Sequence, residues 1–114
     1  MDFKKQKSIY QQIADMLCKR IVAGEWKDDD RIASVRDVAV QLGVNPNTVV
    51  RSFDHLQQAG IIYNKRGVGY FVAPDAKGLI LDLQRKEFLE QELPDFKQRL
   101  SMLGLSFDDL KQYF

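Results

Sequence analysis

The sequence has very few residues of the types that build covalent or metal-based sites. It contains one cysteine, Cys18, and one histidine, His55. A single thiol excludes an internal disulfide, and the pair is too small for a Cys/His zinc cluster. No apolar run approaches the ~18 residues of a bilayer-spanning helix, and the opening MDFKKQKSIY lacks the apolar stretch of a secretory signal. We therefore expect a cytoplasmic, reduced, metal-free protein without a cofactor and without a membrane partner.

The sequence also lacks residues that would act together in catalysis. Cys18 and His55 are the candidate nucleophile and base, but they fall on different predicted helices with no orienting acid suggested. Neighbouring carboxylates occur at residues 28–30 and 108–109, in polar surroundings where we expect them to be solvated. We predict no catalytic residues and a protein that is not an enzyme.

The 114 residues suffice for one small domain with an appendage. Residues 1–78 contain 12 Lys/Arg against 9 Asp/Glu, whereas residues 79–114 contain 5 against 7. This asymmetry fits a nucleic-acid-binding segment followed by a protein-binding one, and it fits ordinary solvated surfaces equally well.

Three amphipathic helices are predicted in the first 60 residues. Apolar residues recur every four positions from Ile9 to Ile21, which is typical of a helix with one buried face. A second helix, residues 35–42, ends before Gly43. The third begins at Asn45-Pro46, because asparagine caps helices well and proline suits the first helical position. Two helices joined by such a tight turn form a helix-turn-helix.

A β-hairpin is predicted directly after the third helix. The β-prone runs 61–64 and 70–72 flank a turn that contains Lys65, Arg66 and Gly67. The predicted fold is therefore mainly α, an α+β winged helix-turn-helix with a three-helix core and a two-stranded wing, in a domain covering residues 1–74. Residues 74–78 are predicted to be a short linker.

The remaining segment, residues 75–114, is predicted to be a helical dimerisation tail. Its apolar residues are spaced 4, 3, 4 and 3 apart, a seam two heptads long, and Pro94 inside it requires a kink or a new helix start. So few helices cannot bury this surface alone, and we favour a second copy of the chain over the winged helix as the partner. The predicted dimerisation residues are Phe88, Leu89, Leu93, Phe96, Leu100 and Leu103.

A helix-turn-helix places its second helix in the major groove, with the first turn nearest the base edges. Asparagine pairs with adenine and arginine with guanine or phosphate, while a small basic wing tip fits the minor groove. Each residue also has an ordinary explanation, such as helix capping, loop solubility or an ion pair between Arg51 and Asp54. The predicted DNA-binding residues are Ser34, Arg36, Asn45, Pro46, Asn47, Thr48, Arg51, Lys65, Arg66 and Gly67.

Residues 9–73 resemble the winged-helix domain of GntR-type bacterial transcriptional regulators. The matching pieces are IYQQI, IAS-VR, LGVNPNTV, HLQQAGII and RGVGYFV, and the short helical tail resembles the YtrA-like branch. The resemblance implies a homodimeric regulator of double-stranded DNA, often of transporter genes, with DNA contacts at Arg36, residues 45–48, Arg51 and the 66–67 wing tip.

The sequence departs from the family pattern at three places. Asp28-Asp29 stands where family members have Pro-Gly, Ala33 where they have proline, and Val50 where many have arginine. Asp29 must then adopt a turn that glycine favours, and the three acids at residues 28–30 are expected to face away from DNA.

Two functions stay open from the sequence. The first is a sequence-specific regulator that acts as a homodimer on an inverted repeat, with repression favoured over activation. The second is a winged-helix protein-interaction module without a specific DNA site, which the near-neutral charge and Val50 allow. A small-molecule effector between the two parts is a further hypothesis that rests on architecture alone.

Overall fold

A computed structural model describes residues 7–114. Residues 1–6, on which part of the expectation about a secretory signal rests, lie outside the described residues. The chain divides into two compact units, the first ending at Ile80 and the second covering Leu81–Phe114. No helix among the described residues is long and apolar enough to cross a membrane.

The first unit contains the three predicted helices with the predicted starts. Helix α1 covers Ile9–Val22, α2 covers Val35–Leu42 and α3 covers Pro46–Gln58. Gly43 adopts φ 65° between α2 and α3, a left-handed conformation that glycine reaches without steric penalty. The α2–turn–α3 arrangement is the predicted helix-turn-helix.

The hairpin follows α3 as predicted. Strand β1 covers Ile62–Lys65 and β2 covers Gly69–Val72, and they pair antiparallel with Ile62 opposite Val72 and Lys65 opposite Gly69. The fold class, a mainly helical winged helix with a two-stranded sheet and C-terminal helices, is confirmed.

The core of the first unit joins all three helices to the hairpin. Phe53 of α3 is fully buried and meets the ring of Tyr70 edge-on, with 4.8 Å between centroids. The Ser52 hydroxyl, also buried, donates to the carbonyl oxygen of Tyr10 at 2.7 Å and ties α3 to α1. This packing fixes α3 on the unit, so its outward face is presented on a rigid support.

The prediction of a linker at residues 74–78 is wrong in its second half. Helix α4 begins at Ala76 and extends to Glu87. Ala76 and Ile80 are buried in the core of the first unit, so burial of these apolar side chains favours helix over an exposed linker despite Gly78. The functional division after residue 74 stays a prediction.

The second unit shows how the helical chain accommodates Pro94. A π-helical stretch, Phe88–Glu92, precedes α5, Leu93–Met102, and Pro94 lies in the first turn of α5. The Leu93 N–H donates to the Phe88 carbonyl, five residues back, so the chain passes the proline through a widened turn. A capping box of Ser106 and Asp109 then begins α6, Phe107–Leu110, and a 3₁₀ turn covers Lys111–Tyr113.

Candidate nucleic-acid interface

The start of α3 is held by the residues predicted to begin it. The Asn45 carboxamide oxygen accepts from the Asn47 N–H at 2.8 Å, and Pro46 occupies the first turn. Because this oxygen is occupied, Asn45 acts first as a helix cap. The exposed Asn47 side chain and the half-buried Thr48 are left nearest the helix start.

The outward face of α3 combines polar residues with one exposed valine. Asn47, Arg51 and Asp54 follow one another at helical spacing on the side opposite the buried Val49 and Phe53. Val50 lies on the same side with 38% of its surface exposed. An exposed apolar side chain of this kind is one that can contact the methyl group of thymine.

Arg51 is stacked on an aromatic ring. Its guanidinium lies 4.3 Å from the centroid of Tyr10, whose ring also meets His55 edge-on at 5.9 Å. Within the described chain Arg51 and Asp54 do not form an ion pair, so the ordinary explanation for Arg51 does not hold. Stacking orients the planar cation while its in-plane N–H groups can still reach an anion.

The first turn of α2 adds a hydroxyl and a cation. The Ser34 hydroxyl oxygen accepts from the Asp37 N–H at 3.0 Å and caps the helix, which leaves the hydroxyl hydrogen as a donor. Arg36 is exposed, and the core packs α2 against α3 within the same unit.

The wing tip is basic and exposed. Lys65, Arg66 and Gly67 are all exposed, and Gly67 takes φ 77° in the turn. The Lys65 ammonium lies 4.6 Å from the centre of the Phe71 ring, which stacks on Tyr63 with 5.7 Å between centroids. These rings support the lysine from the solvent face of the hairpin.

A third piece of chain, which sequence reasoning missed, joins the wing through an isolated β-bridge. The Asp29 N–H donates to the Val72 carbonyl at 2.8 Å and the Ile32 N–H donates to the Tyr70 carbonyl at 2.9 Å. Arg31 thereby pairs with Phe71. The run GEWKDDDR carries no alternation of apolar and polar residues, so nothing in it predicts the bridge from Arg31 to a strand residue 40 positions later.

The carboxylates of the three acids next to this segment accept hydrogen bonds. Asp30 accepts from the Lys27 N–H at 2.8 Å, Asp28 accepts from the Asp75 N–H at 3.2 Å, and Asp29 accepts from the Tyr63 hydroxyl at 2.8 Å. The last bond raises the pKa of Tyr63 above its ordinary value. Asp29 has φ 63°, the left-handed conformation expected where relatives have glycine.

Cys18 and His55 do not form a reactive pair. Cys18 is buried on α1, and burial raises the pKa of its thiol to about 11, which suppresses the nucleophilic thiolate. His55 is exposed on α3 and contacts Tyr10. The arrangement serves packing rather than chemistry.

Residues 9–72 match the family model described as "Bacterial regulatory proteins, gntR family". The chain belongs to the GntR family. This GntR regulator is 35% identical over 108 residues, 95% of its length and 88% of the relative's, to the uncharacterized HTH-type transcriptional regulator YhcF of Bacillus subtilis. It is 31% identical to the HTH-type transcriptional repressor YtrA of the same species over 80% of its own length and 70% of the relative's.

A solved structure shares the architecture of this GntR regulator over most of both chains. It is a putative GntR-family transcriptional regulator from Bacteroides thetaiotaomicron, with 45% identity, a TM-score of 0.79, and coverage of 92% of this chain and 91% of that one. The protein is therefore a DNA-binding transcriptional regulator and not an enzyme, as the sequence predicts. The similarity to YtrA agrees with the predicted short-tailed branch.

Proposed function

We propose that the chain acts as a homodimeric repressor that binds an inverted-repeat operator. The observation that carries this proposal is the surface of the second unit. None of residues 81–114, all of which the structure describes, is buried, and large apolar side chains of the predicted seam are open to solvent: Phe88 is 50% exposed, Leu89 58%, Phe96 49% and Leu103 63%.

A second copy of the chain is the partner that fits this surface. The heptad spacing of the seam suits self-association of like helices, and exposed apolar patches of this kind mark association surfaces. A symmetric dimer carries two winged helices related by a two-fold axis, which requires an operator with the same symmetry.

Within each half-site we assign base reading to the start of α3 and backbone binding to the flanking cations. In this assignment Asn47, Thr48 and Val50 face base edges. Arg51, which stacks on Tyr10, and Arg36 bind phosphates, and the Lys65–Gly67 tip enters the neighbouring minor groove. The hydroxyl of Ser34 and the helix start at Asn45 and Pro46 complete the contacts.

Repression rather than activation is supported by the relative named a repressor, and control of transporter genes follows from the resemblance to its branch. The small-molecule effector stays a hypothesis.

The decisive experiment is selection of bound duplexes from a random-sequence library, followed by sequencing. We expect a two-fold-symmetric motif whose affinity falls steeply with salt, and its half-site spacing reports how far apart the dimer holds its wings. Recovery of no motif, together with a monomeric chain, would contradict the proposal and favour the protein-interaction module.

Alanine substitutions then test the assigned contacts. Arg51→Ala and Arg66→Ala should each weaken operator binding by about 1–3 kcal/mol. Lys19, exposed on α1 and assigned no contact, provides the matched control, and Lys19→Ala should bind as the parent does. If neither arginine variant weakens binding, the assigned interface is wrong.

A further inference from the structure

Arg31 crosses the wing at Gly69, a position of the hairpin that has no side chain. Its backbone pairs with Phe71, which puts its side chain on the same face as those of Phe71, Tyr63 and Lys65. A Cβ atom added to Gly69 would lie 2.8 Å from the Arg31 Nε atom and 3.4 Å from its Cζ atom. The guanidinium therefore occupies the space that any other residue at position 69 would fill.

This position brings Arg31 to the basic tip. Gly69 is the register partner of Lys65, and Arg66 follows Lys65 in the turn. Three cations thus gather at one end of the hairpin, although Arg31 is 34 residues from Lys65 in the sequence.

The neighbouring acids form no direct ion pair with these cations. Asp28, Asp29 and Asp30 accept hydrogen bonds from the chain around them. Within residues 7–114 none of the three cations forms an ion pair with a carboxylate. Cations held close together repel one another, and a polyanion beside them relieves that repulsion.

We propose that Arg31 is a third DNA-binding cation of the wing, contacting the phosphate backbone beside Lys65 and Arg66, and that Gly69 is the residue that makes room for it. The proposal rests on the proposed function, since it assumes operator binding by the wing. It adds a contact from the segment before α2, which the sequence presents as an acidic connection.

The test compares Arg31→Gln with Lys27→Gln in the full chain, using the operator recovered by selection. Both changes remove one positive charge from the same exposed segment, but only Arg31 reaches the tip. A lost phosphate contact makes the slope of log affinity against log salt shallower by about 0.9. We expect this change for Arg31→Gln, equally on every duplex sequence, with no change for Lys27→Gln and with recovery of the slope in Arg31→Lys.

Gly69→Ala supplies a second, independent measurement. Gly69 has φ 144°, which an L residue rarely adopts, so the alanine strains the backbone in both backgrounds but displaces the Arg31 guanidinium only in the parent chain. Affinity should therefore fall further in the parent chain than in the Arg31→Gln background. Urea unfolding of each variant separates lost contact from lost fold.

Three results would overturn the inference while leaving the proposed function intact. The first is a salt slope for Arg31→Gln that equals the slope of the parent chain. The second is an equal decrease of the slope in Lys27→Gln, which would show that the net charge of the protein, rather than a contact by Arg31, sets the slope. The third is an equal effect of Gly69→Ala in both backgrounds. Failure of the parent chain to select any motif would instead overturn the proposed function.

Discussion

The two units of the chain differ in whether they bury their apolar side chains. Within residues 7–80 the first unit buries 16 hydrophobic residues, drawn from three helices, the hairpin, the segments beside them and the start of α4. The second, residues 81–114, buries none and leaves aromatic side chains such as Phe107 and Phe114 exposed. Apolar composition alone therefore does not distinguish a self-sufficient core from an association surface. What distinguishes them is whether elements distant in the sequence return to cover each other.

The difference has a consequence for how each unit tolerates change. In the first unit a core side chain touches several elements, so its loss weakens the fold at any protein concentration. In the second unit the seam is exposed, so its side chains should stabilise mainly the dimer. Loss of a seam side chain should therefore change the dimer dissociation constant. Two phenylalanines, one in each unit, allow a direct comparison.

The largest effect is expected for Phe53→Ala in the first unit. Phe53 is fully buried against Tyr70, and removing a buried phenyl ring costs roughly 3–5 kcal/mol of unfolding free energy. Urea denaturation measures the loss, and Phe53→Leu should give a smaller one if the alanine variant does not fold. Phe114→Ala, at a position 97% exposed, is the control and should change stability by no more than about 0.5 kcal/mol.

A smaller effect, and of a different kind, is expected for Phe96→Ala in the second unit. Because Phe96 lies on the seam, the substitution should raise the dimer dissociation constant by about 30-fold, corresponding to roughly 2 kcal/mol for a central interface residue. Sedimentation equilibrium measures this directly. Met102 is 80% exposed in the same helix and off the seam, so Met102→Ala should leave the constant unchanged.

The comparison would fail if the two phenylalanine variants behaved alike. If Phe96→Ala left the dissociation constant unchanged and lowered the unfolding free energy of the monomer, the second unit would be stabilised internally rather than by a partner. The dimer in the proposed function would then need another interface.

Local signals in the sequence account for most of the first unit. Ser34, Asn45 and Pro46 begin their helices where capping chemistry predicts, and Gly43 and Gly67 take the positive φ values of their turns. These features depend on a few neighbouring residues, so a linear sequence contains the information needed to locate them.

Features that depend on distant pairing were not predictable. The bridge between Arg31 and Phe71 forms because β2 offers its open edge, and the approach of Arg31 to Gly69 follows only from that pairing. The helical start of α4 at Ala76 likewise depends on a core that lies elsewhere in the chain. The predicted contact residues are placed by the fold, and their roles on DNA stay predictions.

The smallest expected effect concerns the thiol of the first unit. Burial raises the pKa of the Cys18 thiol from its ordinary value of 9.0 to about 11, so the folded chain retains a proton that the unfolded chain loses first. The resulting stabilisation is complete below about pH 9 and is lost as pH rises toward 11, because proton binding favours the folded state over that range. Between pH 8 and 10 we expect the unfolding free energy of the parent chain to fall by about 1.3 kcal/mol more than that of Cys18→Ala, because the unfolded thiol titrates over this range while the folded thiol stays mostly protonated. Denaturation at the two pH values measures the difference, and identical pH dependence in both chains would show that the thiol lies outside the protected core.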